Sequence, residues 1–282
     1  MTTVAVEKTD SEKRRASFGP LPPLKWAGGK RWFVQRFQSL LPDTFNTYYE
    51  PFFGSGAVYF SLQPRSAVLS DINEELVNFY QVLQRGSSLF RRYLLEHARN
   101  HSLEYYYCVR SKVVRSPEAR AARFLYLNRT CWNGLYRVNR CGEFNVPVGS
   151  KSAVILESDD FDRLRSLLSA ATIRVQDFEV AIEQAESGDF VFIDPPYTVA
   201  HNNNGFVKYN ETIFSWADQI RLRDAVLRAA RRGVKLLITN AHHSSVVDLY
   251  RDFETVVVSR AGVIAGDAAA RKRFEEIVIK CY

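Results

Sequence analysis

Two parts of the chain alternate apolar strand-like segments with helix-like segments, and this alternation restricts the possible folds more than any other feature. Residues 46–56 (NTYYEPFFGSG) predict a strand that enters a Gly-rich turn. Residues 65–76 predict a second strand, and 75–85 a helix with apolar residues at helical spacing. Strand-like and helix-like segments return over 151–282. This order is typical of a doubly wound, Rossmann-like α/β sheet.

The segment between these parts has a different pattern. Residues 86–150 contain two helix-like stretches, followed by a part rich in Gly, Asn and Pro that predicts loops and a short hairpin. We therefore predict one α/β domain formed by 20–85 and 151–282, with a mainly helical insert at 86–150. Residues 1–19 carry charges but no apolar segment of a secretion signal, and we expect a disordered leader.

The positive charge is concentrated in the insert. Residues 85–151 contain 13 Lys and Arg but only four acidic residues, so this segment has a formal charge of +9 and the remainder −2, within a total of +7. Aromatic residues such as Tyr105 and Tyr136 lie between the arginines. This mixture suits a polyanion that also presents flat bases. A solvated helical face is the alternative.

The sequence has no pattern of membrane segments or metal ligands. Its apolar runs are far shorter than the roughly 20 residues that cross a bilayer. Four cysteines without a CxxC pair indicate free thiols in a reducing compartment. His97 and His101 could share a helix face, but a third ligand is not evident. We expect a cytoplasmic protein without a metal or a membrane partner.

A strand that ends in Asp194-Pro195-Pro196-Tyr197 predicts the site of chemistry. The apolar run FVFI precedes it, and ligands bind where such strands end. The prolines fix the backbone and leave the carbonyls of Asp194 and Pro195 free of competing amides. A carboxylate and a carbonyl can together accept both hydrogens of an exocyclic NH₂ group, and Tyr197 can stack on the ring that bears it.

A Gly-rich turn and an acidic residue predict a nucleoside-like cofactor. The turn, 51–56, lacks the third glycine of a dinucleotide fingerprint and the Gly-Lys-Ser/Thr of a P-loop. Asp71, at the end of the second strand, could accept both ribose hydroxyls. S-adenosylmethionine fits this combination, and an ordinary tight turn with a capping Asp is the alternative. Near the N-terminus, LKWAGGKR (24–31) could bind an anionic group.

Taken in order, LKWAGGK, EPFFGSG, SDIN and DPPY resemble the Dam-type, alpha-group DNA adenine-N6 methyltransferases. The insert segment LYLNRTCWNGLYRVNRCGEFNVPVG is similar to the target-recognition part of that family, and RKRFEEIVIKCY to its closing strand. The resemblance covers residues 23–282. It implies an α/β fold with a Rossmann-like S-adenosylmethionine-dependent methyltransferase sheet and an inserted, mainly helical DNA-recognition domain.

The resemblance also implies the activity and the role of each site residue. It implies methylation of N6 of an adenine flipped out of double-stranded DNA, within GATC, by an enzyme acting as a monomer. The aromatic Trp132 replaces the tyrosine of the family. The catalytic residues would be Asp194, Pro195, Pro196 and Tyr197. The cofactor-binding residues would be Trp26, Ala27, Gly28, Gly29, Lys30, Glu50, Phe53, Gly54, Gly56, Asp71, Ile72, Asp177, Phe178 and Asp194. The DNA-binding residues would be Lys25, Arg110, Arg129, Trp132, Asn133, Leu135, Arg137, Asn139, Pro147 and Lys151.

Four alternatives remain at this point. The target could be an adenine in RNA or in another DNA sequence, or the N4 group of cytosine, although Ser more often precedes Pro-Pro in cytosine enzymes. The chain could also be a DNA-binding relic without catalysis. The intact Asp194, Tyr197, Asp71 and Gly-rich turn favour a working enzyme.

Overall fold

The computed structural model describes residues 19–139, 141–200, 214–261 and 273–282. These residues form a seven-stranded sheet with the order β3-β2-β1-β4-β5-β7-β6. The first five strands in this order are parallel, and β7 is antiparallel to both β5 and β6. The strands are β1 Tyr48–Glu50, β2 Ala67–Asp71, β3 Ala171–Val175, β4 Phe190–Ile193, β5 Lys235–Ala241, β6 Glu254–Ala261 and β7 Arg273–Cys281.

The helices begin and end at side chains and glycines that satisfy their terminal backbone groups. The Asn73 side chain accepts from the Glu75 and Leu76 amides at the start of one helix, and Gly86 ends that helix with a φ of +67°. The α-helices in the described ranges are α1 Arg31–Arg36, α2 Ala57–Leu62, α3 Glu74–Arg85, α4 Ser88–Asn100, α5 Leu103–Ser111, α6 Pro117–Thr130, α7 Phe161–Leu168, α8 Phe178–Glu183, α9 Trp216–Arg231 and α10 Ser244–Leu249.

The strand order creates a ligand-binding crevice at the centre of the sheet. The chain runs outward from β1 to β3 and then returns, so that β4 pairs with β1 on its other side. At this reversal the loops after β1 and β4 diverge to opposite faces and leave a crevice at the carboxyl ends of the strands. The Gly-rich turn 51–56 follows β1 and the Asp-Pro-Pro-Tyr turn follows β4. The topology therefore brings the two strongest sequence motifs together.

The helices of residues 88–130 share a hydrophobic core with the sheet. Phe90 of α4 and Phe124 of α6 both pack against Phe79 of α3, and all three belong to the buried cluster that includes Leu69 of β2. The second cluster contains Val191 of β4 and the apolar side of α9. The helices of residues 88–130 therefore pack directly on the elements of the sheet part.

The sequence predictions can be compared with these elements. The strands predicted at 46–56, at 65–76 and for the run FVFI correspond to β1, β2 and β4, and the helix predicted at 75–85 corresponds to α3. The two helix-like stretches of residues 86–150 correspond to α4 and α6. In the described part of the chain, no helix has both the length and the apolar character needed to cross a membrane. The predicted disordered leader lies outside the described residues, apart from Gly19.

Candidate active site and nucleic-acid interface

A cavity of about 2300 Å³ opens at the carboxyl ends of β1 and β4. It brings together most of the residues that the sequence predicted for the cofactor, the target base and the DNA. Gly56, Arg110, Pro147 and Lys151 do not line it. The predicted residues on its wall are Lys25, Trp26, Ala27, Gly28, Gly29, Lys30, Glu50, Phe53, Gly54, Asp71, Ile72, Arg129, Trp132, Asn133, Leu135, Arg137, Asn139, Asp177, Phe178, Asp194, Pro195, Pro196 and Tyr197.

A lysine and two carboxylates meet on the wall of this cavity. The Lys30 Nζ lies 2.8 Å from Asp194 Oδ1 and 3.5 Å from Glu276 Oε2. It also donates to the Gly28 carbonyl at 2.9 Å. The Tyr197 hydroxyl donates to the same Glu276 oxygen at 2.7 Å. These contacts join the loop before α1, the turn after β4 and strand β7 into one polar cluster.

The two oxygens of the Asp194 carboxyl group have different surroundings. Thr239 of β5 donates its hydroxyl to Oδ1 at 2.7 Å, so Thr239 and Lys30 bind the same oxygen. Among the described residues, Oδ2 has no hydrogen-bond partner. Burial raises the pKa of Asp194, and Lys30 and Thr239 counteract this effect. The carboxyl group is thus fixed through one oxygen while the other remains available to an N–H donor.

The Gly-rich turn allows the backbone to approach the cavity closely. Gly54 and Gly56 have φ values of +48° and +69°, in the left-handed region that glycine adopts without strain. A Cβ atom on Gly54 would lie 2.8 Å from the Trp26 indole, and one on Gly56 would lie 2.6 Å from the Phe53 ring. Phe53 is buried beneath the turn.

Two acidic side chains lie behind this turn. Asp71 accepts from the Gly54 amide at 3.2 Å and from the Asn73 amide at 3.0 Å, and burial raises its pKa to about 6. Glu50 is buried and accepts from the Tyr48 hydroxyl at 2.7 Å. Burial raises the pKa of Glu50 well above its ordinary value. Both carboxyl groups line the cavity and are held by neighbouring donors.

At the far end of the cavity, an arginine holds two residues predicted to contact the cofactor. Arg221 of α9 donates to both Asp177 oxygens, at 2.9 and 3.0 Å. Its guanidinium also lies over the Phe178 ring, 4.1 Å from the ring centroid. Gln176 lines the same region, and its buried Oε1 has no hydrogen-bond partner among the described residues. The Phe178 ring is buried between Arg221 and the stacked Phe52 ring, and this end of the cavity offers the unused Gln176 acceptor.

The segment from Cys131 to Val148 forms the predicted short hairpin, which we call the recognition hairpin. Antiparallel bridges join Cys131 with Val148 and Val138 with Phe144. Arg137 is exposed and donates its Nε to Asn145 at 2.8 Å. This contact fixes one edge of the guanidinium, and the hairpin thereby presents an oriented arginine at the mouth of the cavity.

Other predicted DNA-binding residues lie on the same exposed side of the hairpin. Asn139 donates to the Glu143 carboxylate at 2.9 Å and accepts from the Glu143 amide. The Trp132 side chain is 53% exposed. Asn133 adopts a left-handed φ of +54° in the 3₁₀ turn Trp132–Gly134. Pro147 is also exposed. An aromatic side chain thus projects from a constrained turn beside the cavity.

Arg129, which the resemblance includes among the DNA-binding residues, is buried and paired inside the protein. Its side chain is only 3% exposed, and its guanidinium forms two hydrogen bonds of 2.6 Å with Asp159. It also donates to the carbonyls of Val154 and Pro23. Each of the two terminal nitrogens therefore donates both of its hydrogens to partners within the protein. Arg129 therefore holds together helix α6, the loop 150–160 and the segment before α1.

Two lysines of the predicted DNA set lie side by side. The pKa of Lys25 is lowered mainly by partial burial and secondly by the positive charge of Lys151. The buried Asn128 side chain holds the Lys25 backbone by bonding both its amide and its carbonyl. Arg110 stacks on Tyr107, 4.7 Å from the ring centroid, and donates to the Val146 carbonyl. The hairpin is thus flanked by fixed positive charges.

Sequence reasoning missed three side chains of the site. Thr239 and Glu276 lie on β5 and β7, and Arg221 lies on α9. Each was assigned only to a strand or helix, because no local motif marks it. The segment RKRFEEIVIKCY contained a usable signal, since Glu276 is an acidic residue before an apolar run on the closing strand. Within the described residues, no group of three or more His, Cys, Asp or Glu could hold a metal ion.

The fold and the site together are those of a Rossmann-like methyltransferase. The chain belongs to the D12 class N6 adenine-specific DNA methyltransferases, since the model of that family matches residues 26–263. It is therefore an adenine-specific DNA methyltransferase.

Three relatives match nearly the whole chain. A protein named type II methyltransferase M1.LlaDCHI, from Lactococcus lactis subsp. cremoris, is 35% identical over 93% of this chain and 95% of its own length. A type II methyltransferase from Methanocaldococcus jannaschii is 33% identical over 92% and 98%. A DNA adenine methylase from Vibrio cholerae is 31% identical over 90% and 94%.

Proposed function

We propose that the protein transfers a methyl group from S-adenosylmethionine to N6 of an adenine flipped out of duplex DNA, within the sequence GATC. The observation that carries this proposal is the Asp194 carboxyl group. One of its oxygens is bound by Lys30 and Thr239, and the other is available in the cavity beside Tyr197. This arrangement suits an acceptor for the hydrogens of an exocyclic amino group.

The cavity has features that fit S-adenosylmethionine. Gly54 lines the cavity, and the absence of a side chain there lets the Trp26 indole pack against the turn. Asp71 can accept ribose hydroxyls, and Phe178 lines the end of the cavity where the adenine would lie. The unused Gln176 Oε1 is a further acceptor in the same region. When bound, the cofactor supplies an electrophilic methyl group.

Asp194 and the Pro195 carbonyl carry the main chemical role of the protein in this proposal. The adenine amino group is a poor nucleophile because its lone pair is delocalised into the ring. When the carboxylate and the carbonyl accept its two hydrogens, the nitrogen gains sp³ character and its lone pair becomes available. Positioning and fixed electrostatics then supply most of the rate enhancement.

Base flipping follows from the depth of the site. The amino group must reach a largely buried carboxylate, which is not accessible to a base inside a duplex. Stacking of the flipped adenine on Tyr197 offsets about 1–3 kcal/mol of the free energy that flipping costs, by analogy with the binding of single strands. The exposed Trp132 is suited to filling the space that the flipped base leaves. The positive charges of Lys25 and Lys151 repel each other. One phosphate between the two ammonium groups would attract both of them.

Specificity for GATC rests on the recognition hairpin. Arg137 has its Nε fixed by Asn145, and its two terminal nitrogens remain directed away from that contact. A guanidinium of this kind can donate twice to O6 and N7 of a guanine, which discriminates by about 1–3 kcal/mol against another base. The R137A variant should lose discrimination at one base pair. A uniform loss of affinity across sequences would instead identify a phosphate contact.

One experiment tests the activity, the cofactor and the target. The protein is incubated with methyl-labelled S-adenosylmethionine and one of three substrates: a GATC duplex, the same duplex already N6-methylated, or RNA. We expect label only in the unmethylated duplex. Equal label in both duplexes would refute GATC, label in RNA would favour the RNA alternative, and bound cofactor without label would favour a relic.

The D194A variant tests the residue that carries the proposal. It should lose turnover but retain binding of S-adenosylmethionine, because Asp194 contacts the target amino group in this mechanism. Calorimetric titration with the cofactor measures the retained binding. Turnover at the rate of the unchanged protein would refute the role of Asp194.

A further inference from the structure

A buried glutamate on the last strand contacts two residues of the proposed active site. Glu276 of β7 is paired in register with Ala241 of β5, and it is only 3% exposed. Its Oε2 accepts from the Tyr197 hydroxyl at 2.7 Å and lies 3.5 Å from Lys30 Nζ. The preceding Glu275 is 54% exposed and pairs with His242 at 2.8 Å. The two neighbouring glutamates therefore have opposite environments.

Burial of the Glu276 carboxylate is unfavourable unless neighbouring groups pair with it. Burying a carboxylate costs several kcal/mol unless it is paired and hydrogen-bonded. Two groups that contact Glu276 also act at the reacting amino group in the proposed function: Tyr197 as the stacking ring and Lys30 as the partner of Asp194. A side chain that served packing alone would not need a charge at this point.

We propose that Glu276 is a positioning residue for methyl transfer, which fixes Tyr197 through its hydroxyl and shares Lys30 with Asp194. This inference rests on the proposed function, because it takes Asp194 as the acceptor of the N6 hydrogens. With two carboxylates around one lysine, Lys30 cannot neutralise Asp194 completely. Asp194 therefore keeps the acceptor strength that the reaction needs.

The shared lysine has a consequence for the pH dependence. Within the described residues, the charged or titratable groups that act on Asp194 are Lys30 from the N-terminal loop, Glu276 from β7, Tyr197 from its own turn and Glu50 from β1. Burial and the negative charge of Glu276 raise the pKa of Asp194, whereas Lys30 lowers it. Removing the charge of Glu276 must therefore lower the pKa of Asp194.

The test compares E276Q with E275Q, a matched change on the adjacent, exposed residue. Glutamine retains the shape of Glu276 and a hydrogen-bond acceptor for Tyr197 but removes the charge. We expect the single-turnover rate of E276Q on an unmethylated GATC duplex to fall about tenfold at pH 8, because Lys30 then binds Asp194 alone. The acidic limb of the pH–rate profile of E276Q should move to lower pH by roughly one unit. E275Q should match the unchanged protein.

The outcomes separate this inference from the proposed function. If the unchanged protein does not label DNA, the proposed function fails. If it labels DNA and E276Q has the same rate and the same acid limb as E275Q, the role of Glu276 is refuted. A rate loss at every pH without a shift of the limb also refutes charge sharing, since a structural defect produces that pattern.

A second variant decides the question if E276Q does not fold. Y197F removes the hydroxyl that donates to Glu276 but retains the stacking ring. We expect its single-turnover rate to fall about tenfold, with duplex affinity unchanged within about twofold. An unchanged rate for Y197F would overturn the proposed contact between Glu276 and the catalytic turn.

Discussion

Removal of the Arg129 side chain should destabilise the protein without weakening its contacts to DNA phosphates. The Arg129–Asp159 pair is buried on both sides, with 3% and 8% exposure, and both terminal nitrogens of the guanidinium are bonded. The R129A variant leaves the Asp159 charge buried without its partner. Breaking a buried ion pair in this way costs about 3–5 kcal/mol.

This loss can be measured against a matched control on the surface. For a chain of 282 residues, 3–5 kcal/mol corresponds to a decrease in Tm of about 5–8 °C. The R91A control breaks a pair with Asp162 that is 47% and 75% exposed, so its effect should stay within about 1 kcal/mol. Urea unfolding and thermal melts of both variants measure the difference.

DNA binding provides the second half of this test. The affinity of R129A for duplex DNA, measured between 50 and 200 mM salt, should depend on salt as for the unchanged protein, because Arg129 makes no phosphate contact. The reasoning is refuted if R129A melts like the unchanged protein but its salt slope decreases by about one. That result would mean that Arg129 leaves Asp159 and binds a phosphate.

Three further outcomes are expected. Cofactor affinity should rise between pH 5 and 7, as Asp71 with its pKa of about 6 ionises, and a titration of D71N should lack this rise. G56A should lower the free energy of unfolding by about 1–3 kcal/mol, since its Cβ would lie 2.6 Å from an aromatic ring. Gly142 has a similar φ but open surroundings, so G142A should lower the free energy of unfolding less in the same urea titration. K25A should reduce the salt slope of duplex binding by about one; an unchanged slope would exclude a phosphate contact.

The sequence was sufficient to predict the α/β alternation and the location of the catalytic motif. The apolar strand FVFI is buried throughout in the structure, and the two prolines that follow it end the strand at the crevice. The Gly-rich turn was also predictable from local sequence. Gly54 and Gly56 have a left-handed backbone conformation, which favours glycine over other residues. These features depend on neighbours in the chain, and local sequence therefore determines them.

Only the tertiary structure decided how the charged side chains pair. Arg129 and Arg137 lie eight residues apart in the same basic segment, yet one is buried against Asp159 and the other is exposed on the hairpin. Glu276 meets Tyr197 because β7 returns antiparallel beside β5. The sequence by itself determined which chemical groups the chain carries in its motifs. The folding of distant segments determined which charged side chains pair with these groups, because electrostatic pairing depends on distance in space.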